Sequence, residues 1–158
     1  MLYSLICALD VALSSTWTTP KIDWTPSDYY NYSDLDRVES NTEYLKDELE
    51  SIGYEPNIST LVTSRNYTDL VFFDVMNRIE GNIKSLADCS YNPLGWKNPK
   101  VDWASVIDNF DYNVANRLES NLINLKEMIN DIKEETLFCG TYYCGDTFGN
   151  IFSDWGCL

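Results

Sequence analysis

Histidine is absent from the 158-residue chain, and cationic residues are scarce: 11 Lys and Arg stand against 25 Asp and Glu, a formal net charge of −14. Each shortage excludes a class of function. Without an imidazole there is no Ser-His-Asp or Cys-His nucleophile, no histidine general base and no His-ligated metal. A chain this acidic is repelled by phosphate backbones, which argues against sequence-independent nucleic-acid binding. No apolar run reaches the roughly 18 residues that a membrane-spanning helix requires, so no membrane partner is expected. Phosphate-binding loops, dinucleotide fingerprints, nucleophile elbows and EF-hand loops are also missing. What is plentiful is core material. Hydrophobic residues make up 44% of the chain and aromatics 14%, which argues against disorder.

The first thirteen residues, Met1 to Leu13, are apolar except for Tyr3, Ser4 and Asp10. They lack a positive leader region and are interrupted by Asp10, so they do not read as a secretory signal. Alternation at Tyr3, Leu5, Cys7, Leu9, Val11 and Leu13 suits a pairing strand, and an amphipathic helix suits the same residues nearly as well. Residues 1–16 therefore read as a docking arm. Five cysteines, Cys7, Cys89, Cys139, Cys144 and Cys157, are spread without a C-x-x-C motif. Reduced, buried thiols fit this usage better than a Cys139–Cys144 disulfide. A zinc site would lack a fourth ligand at usual spacing, and no cofactor is expected.

The strongest signal is internal similarity. Residues 17–24 read Trp-Thr-Thr-Pro-Lys-Ile-Asp-Trp, and residues 96–103 read Trp-Lys-Asn-Pro-Lys-Val-Asp-Trp. Downstream, Tyr32 to Asn41 aligns with Tyr112 to Asn121, and a third, partial copy runs Asn77-Arg-Ile-Glu-Gly-Asn82. The arginines Arg37, Arg78 and Arg117 lie 41 and 39 residues apart, a period near 40 that implies repeated supersecondary units. The units are 17–56, a partial one at 57–95, and 96–135. A Gly- and aromatic-rich tail, 136–158, has Gly149-Asn150 between Thr147-Phe148 and Ile151-Phe152, which suits a short hairpin.

Each copy opens an amphipathic helix. The apolar seams are Leu35, Val38, Thr42, Leu45, Leu49 and Ile52; then Phe72, Met76, Ile79, Ile83 and Leu86; then Ala115, Leu118, Leu122, Leu125, Ile129 and Ile132. Ser33 with Asp36 reads as the first N-cap, and Gly53 with Pro56 as its stop. The third helix is expected from Asn113 to about Glu135. The fold expectation is mainly α: a three-helix bundle or short helical repeat with extended Trp-bearing linkers and a small C-terminal β element.

Two constellations recur. The first is Arg37, Glu39 and Asn41; Arg78, Glu80 and Asn82; Arg117, Glu119 and Asn121. Arg and Asn, four apart, share a helix face, while Glu points elsewhere. The simplest reading pairs Arg of one helix with Glu of another to set register; the rival reading lines a groove for an acidic partner. The second is Trp17, Trp24, Trp96 and Trp103, with Trp155 in the tail. These rings anchor the linkers on the helices, or serve as interface or glycan contacts. Asp23 and Asp102 occupy equivalent positions, and paired carboxylates can hydrolyse glycosides if they face each other. Nothing in the sequence makes them do so.

The recurring Tyr-Ser-Asp-Leu-Asp-Arg-Val-Glu-Ser-Asn, Met-Asn-Arg-Ile-Glu-Gly-Asn and Tyr-Asn-Val-Ala-Asn-Arg-Leu-Glu-Ser-Asn segments resemble a module of virion structural proteins from phages and prophages of Gram-positive bacteria, especially tail, baseplate and fibre-associated ones. The resemblance covers residues 17–135. It departs at Asp36, where the module has Asn, and in the second copy, which lacks the upstream Trp. It implies a non-enzymatic virion part whose partners are other virion proteins and copies of itself. The rival from another class is a module binding host cell-wall polysaccharide through Trp and Tyr.

Overall fold

The computed structural model describes residues 15–104 and 109–139, with side chains through Glu135. It is mainly α, with three mutually packed helices: α1 (Tyr32–Ser51), α2 (Phe73–Asp88) and α3 (Tyr112–Cys139). Among the described residues there is no strand. The expected C-terminal β element and Trp155 lie outside the described residues, as does the arm up to residue 14.

The three helices run parallel. Near their starts, Arg37 of α1 pairs with Glu119 of α3; near their ends, Glu48 of α1 pairs with Lys133 of α3. Arg117 of α3 likewise meets Glu80 of α2, and beyond the end of α2, Ser90 reaches Met128. Parallel neighbours in one chain need a long return. α1 has 20 residues, so it is about 30 Å long, which about ten extended residues can retrace. Segments 52–72 and 89–111 supply those returns, and 15–31 approaches α1 in the same way.

The apolar seams form one core. Leu35, Val38, Leu45 and Leu49 of α1, Met76, Ile79, Ile83 and Leu86 of α2, and Leu118, Leu122, Leu125 and Ile129 of α3 are all buried. Ile52 and Ile132 are half-buried at its edge. One seam assignment is corrected: Phe72 is 58% exposed. It is the N-cap of α2, ahead of the first helical turn, so its side chain follows extended backbone and not the helix face.

Helix ends also differ from expectation. The N-cap of α1 is Asn31, not Ser33. Asn31 accepts from the Ser33 backbone while Asp34 accepts from the Asn31 backbone, a capping box two residues earlier. α3 begins at Tyr112 and outruns the expected Glu135 to Cys139. The stop of α1 is as read: Gly53 has φ +90°, its N–H reaches the Glu50 carbonyl, and Tyr54 N–H reaches Leu49. These two bonds close a Schellman turn. Nothing lies within 4 Å of a Cβ placed at Gly53, so Gly53→Ala changes only backbone strain. Its cost should be about 1 kcal/mol in urea-unfolding midpoints, and a neutral result would contradict the turn assignment.

Candidate functional site

The repeated polar residues form a closed ring about two turns into the three helices. Arg37 pairs with Glu119, Arg78 with Glu39, and Arg117 with Glu80, so each helix gives an arginine to one neighbour and a glutamate to the other. The glutamates, set off the face that Arg and Asn share, point into the bundle. Glu39, Glu80 and Glu119 are at most 1% exposed. Their arginines reach in from the half-buried flank.

The asparagines perform a different task. Asn41 Oδ1 accepts the Thr18 N–H at 2.9 Å while its Nδ2 donates to the Thr18 carbonyl at 2.7 Å. Asn82 clasps Ser59 in the same two-bond manner, and Asn121 clasps Lys97. A side-chain amide thus takes the place of a neighbouring strand for one residue of each returning segment, satisfying its backbone donor and acceptor.

Six residues further along each segment a second clasp occurs, on the neighbouring helix. Asn116 of α3 holds Trp24 through N–H and carbonyl, and Asn77 of α2 holds Trp103. Between the clasps, a buried glutamate accepts a segment N–H: Glu39 from Val62, and Glu80 from Lys100 at 2.7 Å. The Lys21 backbone adds the corresponding favourable interaction at Glu119. Every returning segment is therefore pinned to the helix that follows it and to one adjacent helix. Sequence reasoning missed the second clasp. The spacing of 5 between Asn77 and Asn82, and between Asn116 and Asn121, was its available signal.

The position of Asp36 is explained by Arg65. Here the clasped residue is an arginine where the other segments have Trp24 and Trp103. Asp36 accepts the Arg65 N–H at 2.9 Å with one oxygen and the guanidinium at 2.9 Å with the other. Arg65 also reaches Glu39 and the Val62 carbonyl. A carboxylate cannot donate to a backbone carbonyl as asparagine does, but it can accept a cation, so Asp and Arg belong together. Ile58 packs on the core in this segment, where Trp17 and Trp96 do in the others.

The tryptophans divide by depth. Trp24 and Trp103 are 7% and 6% exposed, whereas Trp17 and Trp96 are half-buried. Lys21 lies 4.2 Å above the Trp24 ring and Lys126 4.2 Å above Trp17. Asp23 and Asp102 are exposed and line neither of the two cavities at the N-terminal end of the bundle. No group of His, Cys, Asp and Glu among the described residues has the arrangement of a metal site. Cys89, a free thiol, donates to the Leu86 carbonyl, and burial raises its pKa.

The larger cavity, about 770 Å³, opens at the helix starts between α1 and α2 and is walled mainly by aromatic and aliphatic side chains. Comparison with protein-family models, curated proteins and solved structures finds no match for this chain.

Burial raises the carboxyl pKa of Glu80 and of Glu119 above the ordinary 4.5, outweighing the pull of Arg117 and Arg37. A group whose pKa is higher folded than unfolded holds its proton to higher pH in the folded chain. Its stabilising contribution is full below 4.5 and lost as pH rises through the folded value. Arg117→Met leaves Glu80 buried without its cation. The loss should be about 3 kcal/mol at pH 7, should shrink when unfolding is repeated near pH 4.5, and should exceed that of Glu80→Gln. An equal loss at both pH values would refute this account of the ring. Asp36→Asn should also destabilise, because Arg65 loses one of its two ion pairs, and adding Arg65→Trp should recover part of the loss. Strict additivity in that double-mutant cycle would separate the two residues.

Proposed function

We propose that the chain is a non-enzymatic structural component of a phage particle, a tail, baseplate or fibre-associated part built from three units of about 40 residues. The observation that carries this reading is the fate of the recurring residues. Arg, Glu and Asn of each copy are consumed by intramolecular contacts, the arginines and glutamates closing the ring and the asparagines holding the segments. Residues spent on shape in this way leave the outer surface and the ends for assembly. This is the behaviour expected of a spacer or docking part and not of a catalytic centre.

The acidic outer surface belongs to the same reading. Residues 20–56 contain three basic and ten acidic side chains, and net charge of one sign resists self-aggregation. The rival glycan reading loses its strongest candidates, since Trp24 and Trp103 are buried as anchors. It would rest on the half-buried Trp17 and Trp96, on Trp155 and on exposed tyrosines such as Tyr29 and Tyr67.

Mass spectrometry and cryo-EM of purified particles should find the chain at a copy number matching a particle symmetry axis. Deleting residues 1–13 should leave a helical protein that no longer joins particles. Absence of the intact chain from particles would overturn the proposal, as would tight binding of cell-wall polysaccharide by a chain that never assembles.

A further inference from the structure

The 770 Å³ cavity has a cause that can be read from the other two units. In the first, the segment after the clasp carries Tyr30 just before the helix; in the third it carries Phe110. Their rings meet at 4.7 Å, and Tyr30 also packs on Trp24 at 4.9 Å. Counting back from the helix starts Tyr32, Phe73 and Tyr112, the corresponding residue of the second unit is Val71. The clasped position, tryptophan in the other two units, is Arg65, drawn away to Asp36 and Glu39. The second unit therefore lacks two rings that the other units use to fill this place, and the cavity opens there, bordered by Val71, Tyr30, Phe110 and Trp103.

A second departure lies at the same rim. Asn31 caps α1 with its side chain, and Asp111 accepts the Asn113 and Val114 N–H groups at the start of α3. The corresponding residue of α2 is Phe72, which makes no side-chain capping bond and is 58% exposed. Tyr67 and Leu70 beside it are 87% and 73% exposed. One unit has thus lost a cap and two fillers at one end of one helix, beside the exposed Tyr67, Leu70 and Phe72. Contiguous exposed apolar surface of this kind marks a binding site.

We infer that the slot at the start of α2 receives an aromatic side chain from a partner protein, carried on a segment flanked by basic residues. The aromatic ring is specified by what fills the corresponding places in the first and third units. The basic flanks are specified by charge: among the described residues Asp69 is the only charged one lining the slot, and the chain is net negative. This inference rests on the three-unit reading and is independent of the virion reading.

The test uses the full chain labelled with nitrogen-15 and the tripeptide amide N-acetyl-Lys-Trp-Lys. Saturable amide shifts should map to the start of α2, with binding about tenfold tighter than for the Glu-Trp-Glu or Lys-Ala-Lys analogue. Val71→Tyr restores the missing ring: it should raise the melting temperature and abolish the shifts. Phe72→Asn supplies the missing cap and removes the rim ring, so it should also raise the melting temperature and weaken binding. Stabilised variants with no tripeptide binding to the parent would overturn the docking inference while sparing the three-unit reading. Destabilisation by both substitutions would overturn the unit reading beneath it. Binding by Lys-Ala-Lys as tight as by Lys-Trp-Lys, shifts undiminished in Val71→Tyr, or cell-wall oligosaccharide shifting the same amides in place of the tripeptide would each overturn the aromatic occupant.

Discussion

Each helix of this protein buries a glutamate that its neighbour's arginine must neutralise. That requirement constrains the whole molecule. A carboxylate that is at most 1% exposed is costly unless its oxygens find donors. The donors are a guanidinium from one adjacent helix and, for Glu39 and Glu80, a backbone N–H of a returning segment, with the Arg65 guanidinium added at Glu39 and the Trp103 indole N–H at Glu80. Meeting both at once sets the level of the helices relative to one another and the path of the chain between them. The leucine and isoleucine core supplies the hydrophobic driving force, but apolar packing tolerates sliding that the ion pairs do not.

The asparagines solve a second problem created by the parallel arrangement. Returning segments that run over helices have no sheet partner, and their backbone groups would otherwise depend on solvent. An amide side chain answers one N–H and one carbonyl together, and two such clasps six residues apart suffice to lay each segment down. The Asp36–Arg65 pair is a variation on the clasp in which a charged side chain replaces the backbone carbonyl as the second partner. It exchanges a buried indole for an ion pair and leaves space beside the start of α2.

The helices and their seams were legible in the sequence because they depend on local periodicity, and residues such as Leu45, Ile83 and Leu122 are buried as their spacing implies. The first cap was misplaced by two residues because Asn31 and Ser33 are both good caps, and only backbone geometry chooses between them. Phe72 fits the seam by spacing, yet it precedes the first helical turn, and spacing alone does not show where a helix begins. The middle segment carries the weakest repeat signal. With Ile58 and Arg65 at the positions of tryptophans, its likeness to the others lies in contacts, not in residue identity.

The sequence by itself determined the composition of the core, the approximate helices and the existence of a recurring Arg-x-Glu-x-Asn framework. These follow from period, from turn chemistry and from direct repetition along the chain. Only the tertiary structure decided which arginine meets which glutamate, that the helices run parallel, and which backbone residue each asparagine holds. Those pairings join residues from about 20 to about 90 positions apart, and many pairings share the same local pattern. The choice among them is made by burial and mutual satisfaction of polar groups in three dimensions, and no local feature of the chain encodes that choice.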